Sequence, residues 1–153
     1  MRPHCYVDTL EKDATNEFKF TLTLSTEKGC TDKNTGITNL KPRRLVFQDH
    51  LFYFSGTKKQ QNLNFWLCFF GSQKEAKHCE YTISAKLNET EFSFKSQVLT
   101  LDKTMHEILE FEPTLTINLE KFGQLQKQPG GIQVPIKIKI QNLNYVSDVS
   151  EYS

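Results

Sequence analysis

The sequence predicts an all-β fold, seven or eight short strands in a closed or double-layered antiparallel sheet, most simply a sandwich, with one or two short helices, and three observations carry that expectation. Apolar and polar residues alternate with period two in three separated segments. Turn-forming residues punctuate the runs between them. Helical periodicity is nearly absent, and twelve Phe, five Tyr and one Trp make a core of large rings.

Taken in chain order, residues 18–24 read Phe-Lys-Phe-Thr-Leu-Thr-Leu, with every second side chain apolar, so one face meets a core and the other meets water. Residues 45–47 and 51–54 supply shorter candidates, and 63–70 (LNFWLCFF) is apolar almost throughout. A run of that kind suits a central strand covered on both faces, or one packed against a neighbouring subunit. Alternation returns in 81–87 and, more briefly, in 91–95 and 115–119. The last strand is the clearest: Ile132, Val134, Ile136, Ile138 and Ile140 alternate with Gln133, Pro135, Lys137, Lys139 and Gln141. Turns are expected at 32–36, 56–59, 87–90 and 129–131. Residues 102–110 hold an N-cap candidate and apolar residues at 105, 108 and 109, enough for about two helical turns before Pro113, and a second turn is expected at 120–125. The chain divides into a flexible N-terminal segment (1–15), one sandwich domain (16–141) and a flexible C-terminal tail (142–153).

At 153 residues the chain can bury about two-thirds of its unfolded surface, so neither metal nor disulfide is needed to hold a core. Nineteen basic and eighteen acidic residues leave a net charge of +1, which gives no bulk attraction for nucleic acid or an anionic membrane. With no signal-peptide pattern and no long apolar stretch, the expected location is the cytoplasm or nucleus. Asn88-Glu89-Thr90 fits the glycosylation sequon, but nothing else points to secretion.

Cys5, Cys30, Cys68 and Cys79 are widely spaced and form no CxxC pair, so reduced thiols and no zinc are expected. A catalytic constellation is not apparent. His4, His50, His78 and His106 lie in four different segments. His78-Cys79 is the nearest approach to a Cys/His pair, but neighbours on a strand point to opposite faces, which favours a strand-start His beside a buried structural thiol. His4-Cys5 lacks the further ligands a zinc shell needs. No phosphate loop, dinucleotide fingerprint or nucleophile elbow is present. Neither enzymatic activity nor a cofactor is expected of this chain.

One stretch resembles a family. In residues 60–94, Gly71, Lys74, Ala76, Tyr81, Leu87 and Asn88 match the Gly-x-x-Lys-x-Ala turn, Tyr-bearing strand and Leu-Asn hairpin of the substrate-binding domain of seven-in-absentia-type ubiquitin ligases. Met105-His106-Glu107 is similar to that family's Ile-His-Glu helix start. Residues 119–125 and 131–134 resemble its closing turn and last strand. The resemblance implies the eight-stranded antiparallel sandwich of the TRAF-like class and a homodimeric adaptor that captures extended peptide segments of partner proteins, degrons among them. It also implies that a RING and zinc fingers, not contained in this chain, would recruit the ubiquitin-conjugating enzyme. A non-catalytic assembly domain of the TRAF or MATH type, tethering a partner without degron recognition, is the alternative.

The family receives its peptide on an edge strand bearing Trp and Met. The corresponding place here holds Leu40, Pro42, Arg43 and Arg44, which makes those four the expected partner-binding residues. Proline there suits a sheet edge, and the two arginines imply a partner segment with Asp or Glu. The apolar run 63–70 places the expected dimer interface at Phe65, Leu67 or Phe69.

Overall fold

The computed structural model describes residues 8–10, 17–24, 28–122 and 131–142. They form two sheets facing one another. The smaller sheet contains β2 (Glu17–Thr23), β8 (Cys79–Leu87), β9 (Thr90–Gln97) and β12 (Gln133–Asn142) in the order β2-β12-β8-β9, with every pairing antiparallel. The larger contains β1 (Asp8–Leu10), β3 (Lys28–Thr31), β4 (Ile37–Leu40), β5 (Arg43–Phe47), β6 (His50–Lys59), β7 (Asn62–Phe69), β10 (Leu99–Thr100) and β11 (Leu115–Asn118). Long β6 and β7 pair with each other at its centre. β5 and β4 lie end to end along β6, while β10 and β11 share the far side of β7.

The fold is thus the expected all-β sandwich, and the eight expected strands are realised as twelve segments among the described residues. Two breaks explain part of the difference. Pro42, which has no N–H for a ladder, interrupts the row of β4 and β5, and a helix is inserted between β10 and β11. Pairing is also not wholly antiparallel, since β1 runs parallel to β5 and β10 parallel to β7.

The alternating strands build the core as their periodicity requires. Phe18, Leu22, Ile83, Leu87, Val134 and Ile138 from the small sheet meet Leu45, Phe52, Phe54, Leu63, Phe65 and Leu67 from the large one, all essentially without solvent exposure. Phe20 of the small sheet meets Phe54 of the large one edge-on at 5.1 Å across the gap, and Phe54 stacks on its sheet neighbour Phe65 at 5.4 Å. The apolar run 63–70 is covered on both faces within one chain as far as Phe69, while Phe70 beyond the strand is 61% exposed. Leu63, Phe65, Leu67 and Phe69 point into the sandwich, while Trp66 and Cys68 point outward into a second cluster with Leu99 and Ile108.

The cover of that outer cluster is α2 (Met105–Phe111), a short helix closed by a capping box. The Thr104 hydroxyl accepts from the Glu107 N–H (3.1 Å), and the Glu107 carboxylate accepts from the Thr104 N–H (2.8 Å). The expected helix at 102–110 is this one, started later because Thr104 is the cap. Ser72 and Glu75 make the same reciprocal pair at α1 (Gln73–Ala76), a helical turn where the sequence suggested only a turn. The second expected turn, at 120–125, appears as a 3-10 turn over Leu119–Phe122; its remainder lies outside the described residues.

Turn chemistry was legible at 32–36, where the Asp32 carboxylate accepts from the Asn34 N–H and Gly36 sits at φ +75°. It misled at 56–59, which is strand. Gly56 faces Phe65, and a Cβ there would stand 2.6 Å from that ring, so the glycine serves close packing, while the chain reverses at Gln60 with φ 55°. Residues 8–10 of the expected N-terminal segment form β1, and Asn142 ends β12; residues 1–7, 11–16 and 143–153, with the expected turn at Pro129 and Gly130, lie outside the described residues.

Candidate functional site

The edge made by β5 is the place to which the sequence assigns a partner. Period two governs how its side chains are disposed. Arg43, Leu45 and Phe47 turn inward, while Arg44 and Val46 turn outward, Arg44 half-buried and Val46 51% exposed.

Arg43 is therefore not a surface residue. It is 8% exposed, its guanidinium stands 5.2 Å from the centre of the Phe20 ring, and Nη1 donates to the Lys41 carbonyl at 3.3 Å. The planar cation lies on an aromatic face at the rim of the sandwich, where it joins the two sheets. Leu40 is buried in β4, which pairs with β3 and β6, and Pro42 is half-buried at the break between β4 and β5. Of the four residues expected to meet a partner, only Arg44 presents itself on the outer face. The expectation that Arg43 and Arg44 act as a surface pair is corrected by the strand's own alternation, which sends neighbours to opposite sides.

The outer margin of β5 is also occupied. β1 lies along it in parallel, with Asp8, Thr9 and Leu10 in register with Arg43, Arg44 and Leu45. A site of strand addition is present, and the chain's own N-terminal segment fills it. The sequence held little sign of this, because DTL is too short to show a period and its partner lies more than thirty residues away.

Phe65, Leu67 and Phe69 are buried between the two sheets at 0%, 0% and 3% exposure, so these side chains have no surface to offer a second copy. Their apolar excess is absorbed by the helix on the opposite face of β7.

The remaining chemistry is sparse. Cys68 and Cys79 are free and buried, and burial pushes both thiols up to about 11, which keeps them protonated and poorly nucleophilic near neutrality. His78 is half-buried beside Cys79 on the chain, and its neighbour's thiol is directed into the core. His4 and Cys5 lie outside the described residues. Among the described residues no three His, Cys, Asp or Glu side chains come together as a metal group, and no helix is long and apolar enough to cross a membrane. Surface clefts of about 500, 470 and 430 Å³ lie elsewhere, and none is lined by Leu40, Pro42, Arg43 or Arg44.

The residues that carry the sequence resemblance have structural roles. Ala76, Tyr81 and Leu87 are core, Asn88 takes the left-handed turn conformation at φ 57°, and His106 and Glu107 open α2. Such residues specify a fold and leave the binding specificity to other positions. Comparison with models of known protein families finds no match, and comparison with curated proteins finds none either.

Proposed function

We propose that this chain is a protein–protein recognition module, of the kind that serves as the substrate-binding domain of seven-in-absentia-type ubiquitin ligases, and that it captures an extended partner segment by strand addition at β5. The observation that carries the reading is the parallel seating of Asp8–Leu10 on β5. An edge that accepts three residues of its own chain as a strand has its N–H and C=O groups aimed and spaced to accept a foreign one. The residues shared with that family fall at the helix cap, hairpin and core positions that build the sandwich, which agrees with a common architecture. Transfer of ubiquitin would belong to a RING elsewhere in the protein or its assembly, and the module would act as a homodimer.

A peptide entering this site replaces β1, and the exposed outer side of β5 gives it Arg44 and Val46 as side-chain contacts. Acidic and apolar residues in alternation are the matching chemistry, and with so short a ladder the affinity is on the order of micromolar or weaker. Panning a peptide library against the full chain tests this. Enriched acidic peptides that perturb the amides of residues 43–47, and that lose affinity on Arg44→Glu, are expected. Enriched peptides that leave those amides unperturbed would move the site elsewhere. The alternative, an assembly module that binds no degron, draws support from the same strand, since β1 already fills the edge; a library that yields no binder would favour it.

A further inference from the structure

Among the described residues the small sheet ends on one side at β9, whose eight residues pair there with β8 alone. This edge is about 27 Å long, at the usual rise per residue of a strand. Glu91, Ser93, Lys95 and Gln97 face water on the outer side, whereas Phe92, Phe94 and Ser96 face inward and remain half-buried. Phe92 touches Phe122 and Phe94 touches Tyr81, with ring centres 6.1 and 6.2 Å apart, so both aromatics, half-buried, pack against the core from its rim.

Backbone polarity on this edge follows from the hairpin. With a two-residue turn at Asn88-Glu89, Leu87 and Thr90 form the closing hydrogen-bonded pair, so alternate residues from Thr90 onward bond to β8. The N–H and C=O groups of Glu91, Ser93 and Lys95 then point to the open side.

We infer that β9 is a homodimer interface, in which two copies align antiparallel about a two-fold axis at Ser93 and join their small sheets into one eight-stranded sheet. The inference rests on the proposed dimeric module and supplies its surface. Charge complementarity selects the occupant and the register. Centred on Ser93, each Glu91 stands opposite Lys95 of the second copy, each Phe92 opposite Phe94, and Thr90 opposite Ser96. The outward-pointing main-chain groups meet in the same register and make about six hydrogen bonds. Moving the axis to Phe92 or Phe94 sets Glu91 against Ser93 or Gln97 and forfeits both ion pairs. Lys95 now lies 3.6 Å from Glu80 on β8 and is well exposed, so it can serve both carboxylates. The other edge of this sheet, β2, matches Glu17 with Lys19 of a second copy over only three described residues, and those two side chains already contact each other at 3.8 Å.

Light scattering and sedimentation of the full chain test the assignment. The wild type is expected at twice the monomer mass. Glu91→Lys and Lys95→Glu, each turning two attractive pairs into repulsive ones, should raise the dimer Kd about tenfold or more, and the double variant E91K/K95E should restore it. Ser93→Cys should form an intermolecular disulfide on mild oxidation, because paired residues lie about 5.5 Å apart at Cα, while Glu91→Cys should not. A dimer indifferent to both single reversals, with no cross-link at 93, would overturn the β9 interface and leave dimerisation standing. A monomer at high micromolar concentration would overturn both.

Discussion

Arg43 and Gly56 are two residues whose types suggest one role and whose places give them another. A basic residue beside a proline between strands resembles a solvated edge, yet Arg43 lies on the inward phase of β5 and rests on Phe20. Arg43→Glu would press a carboxylate against the negative face of that ring, with an expected loss of about 2–4 kcal/mol in denaturant unfolding. Arg44→Glu, on the outward phase, should cost less than Arg43→Glu in the same measurement. Gly56 resembles a turn residue, yet sits in mid-strand beneath Phe65. Gly56→Ala should cost about 1–3 kcal/mol, because the new methyl meets both the Phe65 ring and, at 3.2 Å, the Asn64 carbonyl. A thermal melt of the variant checks it.

At the scale of elements, α2 is held by its cap more than by its length. Seven residues are too few for a helix stable on its own, so the Thr104–Glu107 box and the contact of Ile108 with Trp66 and Cys68 maintain it. Thr104→Ala should destabilise by about 1 kcal/mol and raise the amide exchange of residues 105–108 before that of the strands. Acid should do the same. The Thr104 N–H holds the Glu107 carboxyl below its ordinary value, and the Thr100 hydroxyl does so for Asp102. A depressed folded-state pKa gives stability that is present above the ordinary carboxylate range and is lost as pH falls through the lowered value. Hydrogen exchange across that acid range should therefore show α2 loosening first, and a helix unchanged until global unfolding would contradict it.

For the molecule as a whole, β1 is a peripheral addition of three residues at the margin of the large sheet. Leu10 packs, half-buried, against a core that includes Phe18, Phe52, Phe54 and Phe65 of β2, β6 and β7. Removing residues 1–10 should leave a cooperative unfolding transition with a Tm lowered by a few degrees, and should raise the affinity for acidic extended peptides by freeing β5. Loss of cooperative unfolding would make β1 part of the core fold.

Alternation in 18–24, 81–87 and 132–140 was enough to determine an all-β sandwich and most of its core, since period two is a local property that one face buried and one face wet impose directly. An N-cap candidate and the apolar residues at 105, 108 and 109 likewise marked the small helix. Only the tertiary structure decided that the outer face of LNFWLCFF is covered by α2, that the inner face leaves nothing for a partner, that β1 returns to fill the β5 margin, and that β9 remains an edge. Those outcomes depend on which strands become neighbours. Neighbour choice is settled by contacts between residues far apart in the chain, and no local period encodes them.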